Sequence, residues 1–138
     1  MKLMNILTLP SAYKDRLKKV SDVGITHFDI NTDNIINCNC ITNGKHITRI
    51  SFIEIKEITP HSLCVCDCDC KSFAFEFAHA IRDANGLLYP EKYPDLTAKK
   101  KNIYSHLCGC KHITKFAQFI YHKSNLINTT ILKEILKK

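Results

Sequence analysis

The chain has 138 residues, of which 45% are hydrophobic and 24% are charged. This is the composition of an ordinary globular domain, so it argues against a disordered protein, and the length suits one domain with its own core. The net charge of +7 is uneven, because residues 99–138 hold nine lysines and one acidic residue, whereas residues 1–98 carry a net charge of −1. The basic last third favours an acidic partner, either nucleic acid or an acidic protein surface; a solvated lysine-rich helix is the alternative.

The first predicted element is an N-terminal helix within residues 1–22. Tyr13, Leu17 and Val20 recur there at helical spacing. Ser11 follows a proline and is a suitable N-cap.

Short β-rich runs occupy residues 24–66 and are separated by polar clusters at 31–34 and 43–45. Asn43-Gly44 lies between two of these runs and predicts a hairpin, because both residues tolerate a positive φ. We therefore expect a small antiparallel sheet of three or four strands.

Helical periodicity returns after Ser72, which could cap the helix. Phe73, Phe77 and Ile81 lie on one helical face. Gly86 is expected to end this helix.

An irregular excursion over residues 86–107 precedes two further predicted helices. A loop of this length inside a domain is usually functional or ordered by a partner. The helices are expected at 110–122 and from Ser124 onward, each with an apolar stripe at helical spacing. The stripe residues are Ile113, Phe116, Ala117, Ile120 and Tyr121 in the first helix and Ile127, Ile131, Leu132, Ile135 and Leu136 in the second.

The eight cysteines all belong to Cys-x-Cys pairs, at 38/40, 64/66, 68/70 and 108/110. The first residues contain a brief apolar run broken by Asn5, with no cleavage site after it, and no stretch approaches the length of a membrane span. We therefore expect an intracellular protein with reduced thiols. Metal binding is then the first explanation for the cysteines, ahead of disulfides.

One Cys-x-Cys pair and one Cys-x-His pair lie where a tetrahedral zinc site needs them. Cys68 and Cys70 lie just after the β-rich segment ends. Cys110 and His112 lie at the start of a predicted helix, whose N-terminus stabilises the negative charge of a thiolate. Three thiolates and a neutral imidazole around Zn²⁺ carry a net charge of −1. The residues expected to offset that charge are Lys71 and Lys111.

The pattern Cys-x-Cys-xₙ-Cys-x-His over residues 68–112 resembles the SWIM-type zinc finger. The resemblance implies zinc, with Cys68, Cys70, Cys110 and His112 as its ligands. The segments CDCKSFAFEFAHAI and HLCGCKHITKFAQFI also resemble a group of tailed-phage proteins. Those proteins carry a Cys-x-Cys-x-x-Phe helix and, after a variable loop, a Cys-Lys-His helix.

The remaining cysteines and histidines leave alternatives open. Cys64, Cys66 and Cys108 could replace one of the four ligands. Cys38 and Cys40 could form a second all-thiolate site with Cys64 and Cys66, or all four could pack on a sheet face. His79 and His106 could each replace a ligand or hydrogen-bond to one.

The predicted fold class is α+β, with a small antiparallel sheet followed by two to three helices and stapled by a zinc ion. The domain plan is a single domain over residues 1–138. Its parts are an N-terminal helix (1–22), a sheet (24–66), a SWIM-like zinc module (67–123) and a C-terminal helix (124–138).

We expect no enzymatic activity. The four ligands close the zinc shell, whereas a catalytic zinc keeps an open position. Deaminase, phosphate-loop, catalytic-triad and Cys-x-x-Cys patterns are absent from the sequence.

Two functions fit this outline. The first is a structural or adaptor protein of a tailed phage, made in the host cytoplasm and placed in the virion near the head–tail junction, with other virion proteins or further copies of itself as partners. The second is a sequence-independent nucleic-acid-binding zinc finger, with lysines on the phosphates. The lysines proposed for those contacts are Lys99, Lys100, Lys101, Lys111, Lys115 and Lys123.

Overall fold

The computed structural model describes residues 1–31, 33–53, 57–93 and 107–136, and it shows an α+β fold. Four antiparallel strands pair in chain order, each with the next, to form one sheet. This confirms the predicted fold class and the small antiparallel sheet. The strands are β1 (Val23–Ile30), β2 (Ile36–Thr42), β3 (His46–Phe52) and β4 (Cys64–Cys68).

The predicted hairpin joins β2 to β3. Asn43 and Gly44 have φ values of 52° and 70°, and the Lys45 N–H donates to the Thr42 carbonyl at 3.1 Å. The Asn43 side chain also accepts a hydrogen bond from the Ser21 N–H at 2.7 Å. The turn therefore fixes the β2–β3 register and holds the chain that leads into β1.

The helical elements differ in type from one another. Short 3₁₀ helices cover Leu3–Ile6, Ser11–Lys19 and Pro90–Lys92, and a π-helical turn at Phe73–Phe77 leads into α1 (Ala78–Asp83). The two longer helices are α2 (Lys111–His122) and α3 (Ser124–Leu136). No helix in the described part of the chain is long and apolar enough to cross a membrane.

Three predicted helix ends are wrong. The N-terminal helix has Pro10 at its cap, and Ser11 is already its first residue. Ser72 is itself helical and its hydroxyl donates to Glu76 at 3.0 Å, so it caps nothing. At the end of α1 the left-handed position is taken by Asn85, with φ 57°, and not by Gly86.

The core lies between one face of the sheet and the helices. The α2 stripe is buried as predicted except for Tyr121, which is 39% exposed because it lies about 80° around the helix from Ile113. On α3, Ile131 is buried, whereas Leu132 is 55% exposed because it points about 100° away from Ile131. The side chains of Ile135 and Leu136 lie outside the described residues.

The start of the predicted excursion extends the sheet at the β4 edge. The Cys66 N–H donates to the Gly86 carbonyl at 2.8 Å, and the Leu88 N–H donates back to the Cys66 carbonyl at 3.0 Å. The Met1 carbonyl accepts the Cys64 N–H at 2.7 Å. The edge of β4 is therefore covered by other parts of the chain, while residues 94–106 lie outside the described residues.

Candidate metal centre

Four side chains converge at the end of β4 that faces the start of α2. They are Cys68, Cys70, Cys110 and His112; all are buried, and their ligand atoms lie within 4.8 Å of one another. The Cys110 Sγ and the His112 Nδ1 are 4.0 Å apart. A tetrahedral zinc site with the usual bond lengths separates its ligand atoms by roughly 3.5–3.8 Å, so a small contraction around an ion would complete the shell.

Asp69, the residue between Cys68 and Cys70, attaches these two candidate ligands to the sheet. The Asp69 N–H donates to the Ile47 carbonyl at 3.2 Å, and the Asp69 Oδ2 accepts the Ile47 N–H at 3.1 Å. Asp69 therefore continues the pairing of β4 with β3 by one residue. Residues on either side of it in an extended chain point the same way, which turns Cys68 and Cys70 towards a common point.

The π-helical turn shapes the surroundings of Cys70. Its sulfur accepts the Phe73 N–H at 3.3 Å, and the widened turn closes with the Ala78 N–H donating to the Phe73 carbonyl. Such turns are rare and often occur at functional sites. Here the turn directs a backbone N–H at a ligand sulfur, which stabilises the thiolate that a metal requires.

The second pair of ligands begins α2. Cys110 is the extended N-cap residue, and its carbonyl accepts the Thr114 N–H at 3.0 Å. His112 follows within the first turn, so both side chains share the geometry of one helix start. Gly109 packs directly against the helix, since a Cβ at this position would lie 2.6 Å from the Ile113 Cβ.

Gly109→Ala is expected to destabilise the protein by about 1–3 kcal/mol, because the fully buried Ile113 leaves no room for the added methyl group. It should also weaken metal binding, since the backbone must move just before Cys110. Chemical denaturation and a Co²⁺ titration followed by visible absorption measure the two effects. Gly24→Ala is the matched control, because the nearest atom to its added Cβ is 3.7 Å away. Equal effects of the two variants would contradict the role given to Gly109.

The charges in the cluster depend on each other. Hydrogen bonds from the thiols of Cys110 and Cys68 lower the pKa of Cys70 well below its ordinary value, while burial raises the pKa of Cys110 far above it. One thiolate in this buried cluster is therefore stabilised at the expense of the others, whose pKa values rise. A bound cation would remove this difference, because it stabilises every thiolate together.

His46 lies against the cluster, although no sequence pattern predicts a role for it. Its ring centroid is 4.4 Å from that of His112, and its Nδ1 is 3.0 Å from the Asp69 Oδ1. The His112 Nε2 is buried and has no hydrogen-bond partner among the described residues. The orientation of the His112 ring is therefore fixed by ring contact with His46 and by whatever Nδ1 binds. The strand register, which brings the start of β3 beside residue 69, is the signal that could have identified His46.

The other cysteines that the sequence offers as ligands lie outside the cluster. The register places Cys38 opposite Ile50 and Ile50 opposite Cys66, so the two cysteines are about 10 Å apart, or two strand spacings. Burial raises the pKa of Cys38, Cys40, Cys64 and Cys108 to about 12, as expected for thiols in a core. No second group of three such ligand atoms converges within the described parts of the chain.

Of the remaining candidates, some lie apart from the cluster and others lie outside the described residues. His79 is buried in α1, apart from the cluster. His106 and the triplet Lys99, Lys100 and Lys101 lie outside the described residues. Lys111 and Lys115 are half-buried, and Lys123 is exposed just after α2.

Comparisons with protein-family models, with curated proteins and with solved structures give no match for this chain. The cluster itself consists of three cysteines and one histidine, buried and free of disulfides. These four residues could hold a metal ion that prefers tetrahedral sulfur and nitrogen ligands.

Proposed function

We propose that the protein is a non-enzymatic structural protein in which a zinc ion staples the end of β4 to the start of α2. The observation that carries this proposal is the convergence of four buried ligand side chains from two distant parts of the chain. Thirty-nine residues separate Cys70 from Cys110, so the ion would close a long loop. Metal-binding free energy at such a site is folding free energy.

The burial of the cluster argues for a structural and against a catalytic metal. All four ligands are buried, and three thiolates with one imidazole already fill a tetrahedral shell. A catalytic zinc would need a position open to substrate and water. The charge of −1 on the filled shell is offset by Lys71 and Lys111, which flank the ligands in sequence.

We extend this proposal to an adaptor role in a tailed-phage virion, near the head–tail junction. Its support is the resemblance of residues 68–81 and 106–120 to the phage proteins with paired Cys-x-Cys and Cys-Lys-His helices. An exposed apolar region that includes Ile25, Phe28 and Leu126 is consistent with protein partners. The partners in this role are other virion proteins or further copies of this chain.

Sequence-independent binding of nucleic acid is the second candidate. Lys111 and Lys115 lie one turn apart on the same side of α2, and Lys123 follows at its exposed end. Such a row can track phosphates without reading bases. Binding to duplex DNA that falls steeply between low and moderate salt would support this function, and the absence of any binding at low salt would remove it.

Native mass spectrometry of protein purified without chelator tests the metal proposal. We expect the mass of one zinc ion per chain, lost on denaturation. Two ions per chain would restore Cys38, Cys40, Cys64 and Cys66 as candidate ligands. A folded, reduced protein without metal would contradict the proposal, and the cysteines would then be core residues.

A further inference from the structure

Strand β1 forms an open edge of the sheet. It pairs with β2 on one side, and no other strand in the described parts of the chain pairs with its second side. Six consecutive residues of the strand, from Gly24 to Asp29, are exposed. A free edge of eight residues is a template for another strand, and natural proteins usually cover or interrupt such edges.

An apolar groove of about 350 Å³ runs beside this edge. Ile25 and Phe28 line it from β1, Phe119 from α2, and Leu126 and Ile127 from α3. Ile25, Phe28 and Leu126 are 46%, 36% and 70% exposed. Large apolar side chains gathered at one exposed place mark a surface that a partner covers.

A β-bulge gives β1 its apolar face. The pairing shifts between Ile25 and His27, so Thr26 is the extra residue. Ile25 and Phe28 are three positions apart and would point to opposite faces of a regular strand. Because of the bulge, both line the groove.

The loop hydrogen bond shows which backbone groups face the open edge. The Asn31 N–H donates to the Ile35 carbonyl at 3.0 Å, so these two residues form a hydrogen-bonded pair. Hydrogen-bonded and non-hydrogen-bonded pairs alternate along antiparallel strands, which makes Phe28 opposite Cys38 a non-hydrogen-bonded pair. The N–H and C=O of Phe28 therefore point away from β2, towards the open edge.

We propose that a second copy of this chain binds here, with the two β1 strands antiparallel and Phe28 opposite Phe28 of the second copy. The outward N–H and C=O of Phe28 then form the central hydrogen-bonded pair. In this register His27 lies opposite Asp29 of the second copy, and Asp29 lies opposite its His27. Within one chain these two side chains already lie on the same face, with the His27 Nε2 and the Asp29 Oδ2 3.3 Å apart.

The self-complementary order of one imidazole and one carboxylate, His27 and Asp29, favours a second copy over an unrelated strand. A two-fold axis through Phe28 generates two identical His–Asp pairs on the polar face and one Phe–Phe contact on the groove face. The two grooves then join beside the axis, and Leu126 of each copy covers the groove of the other copy. The product is a continuous eight-stranded sheet, and the interface is separate from the metal centre at the far strand.

Two matched variants of α3 test this interface. Leu126→Lys places a charge in the groove at an exposed position and should weaken the dimer at least tenfold, which is about 1.4 kcal/mol. Leu132→Lys is the control, because it adds the same charge to an exposed position of the same helix outside the groove. Sedimentation equilibrium of the protein purified without chelator, up to about 100 μM, measures the dissociation constants.

A charge exchange tests the register. His27→Asp places two carboxylates opposite each other across the interface and should weaken the dimer at least tenfold, whereas the double variant H27D/D29H restores both pairs and should restore the dimer. A wild-type protein that stays monomeric at the highest concentration would overturn the proposal. A dimer that tolerates both Leu126→Lys and His27→Asp would also overturn it, since its interface would then lie elsewhere.

Discussion

Cys110→Ala is expected to abolish stoichiometric zinc binding and to lower the free energy of unfolding by on the order of 4 kcal/mol. The substitution removes one of four ligands from a closed shell and leaves a small cavity at a fully buried position. The remaining two thiols and the imidazole would have to bind water to complete the shell. Zinc content after gel filtration and urea-induced unfolding measure the two losses.

Cys108→Ala provides the control, because Cys108 is two residues away, equally buried and outside the cluster. It should retain one zinc ion and lose only the packing of one sulfur atom, about 1 kcal/mol. Zinc retained by Cys110→Ala, or equal destabilisation by the two variants, would show that Cys110 is a core residue. If Cys108→Ala loses the zinc ion and Cys110→Ala keeps it, Cys108 is the ligand and Cys110 is the core residue.

The residues that converge as candidate ligands could be predicted because their information is local. A Cys-x-Cys pair at the end of a strand and a Cys-x-His pair at the start of a helix each have a defined geometry. The residues next to Cys68 and Cys110 in the sequence were therefore enough to identify both as candidate ligands. That the two pairs meet in space needed the fold, which the apolar stripe of α2 and the Asn43-Gly44 turn made predictable in outline.

His46 and Asp69 could not be assigned in this way. Their contact depends on the exact register of β3 against β4, and a slip of two residues keeps the same faces buried while it moves His46 away from the cluster. The π-helical turn after Cys70 was also missed, because the spacing of Phe73 and Phe77 fits an ordinary helix equally well. Neither feature follows from residue types alone.

The candidate metal centre and the proposed dimer interface lie on opposite edges of the sheet, since β4 carries Cys68 and β1 carries Phe28. The tests of the two are therefore independent. Leu126→Lys should leave one zinc ion bound, while a loss of zinc in that variant would indicate a general failure to fold. A negative result for one proposal therefore leaves the other proposal unaffected.

Alkaline unfolding is the second large effect that we expect. Burial raises the pKa of the Cys38, Cys40 and Cys64 thiols from their ordinary value of 9.0 to about 12. The pKa of each thiol is higher in the folded chain than in the unfolded chain. The stability that these buried thiols contribute is therefore fully present below pH 9 and is lost as the pH rises towards 12. In this window each thiol lowers the free energy of unfolding by about 1.4 kcal/mol per pH unit, so the three together lower it by about 4 kcal/mol per unit. A domain with a stability of about 10 kcal/mol should therefore unfold before pH 12.

The double variant C38A/C64A isolates these thiols from every other group that titrates at alkaline pH. It should be less stable than the wild type at pH 8, because two buried sulfur atoms are lost. Its stability should nevertheless fall more slowly between pH 9 and 11, by about 3 kcal/mol less per pH unit, so the stability difference narrows and reverses. Urea-induced unfolding at half-unit pH intervals gives both slopes. Parallel curves for the two proteins would mean that these thiols ionise equally well in the folded and unfolded chain, and the burial argument for them would be wrong.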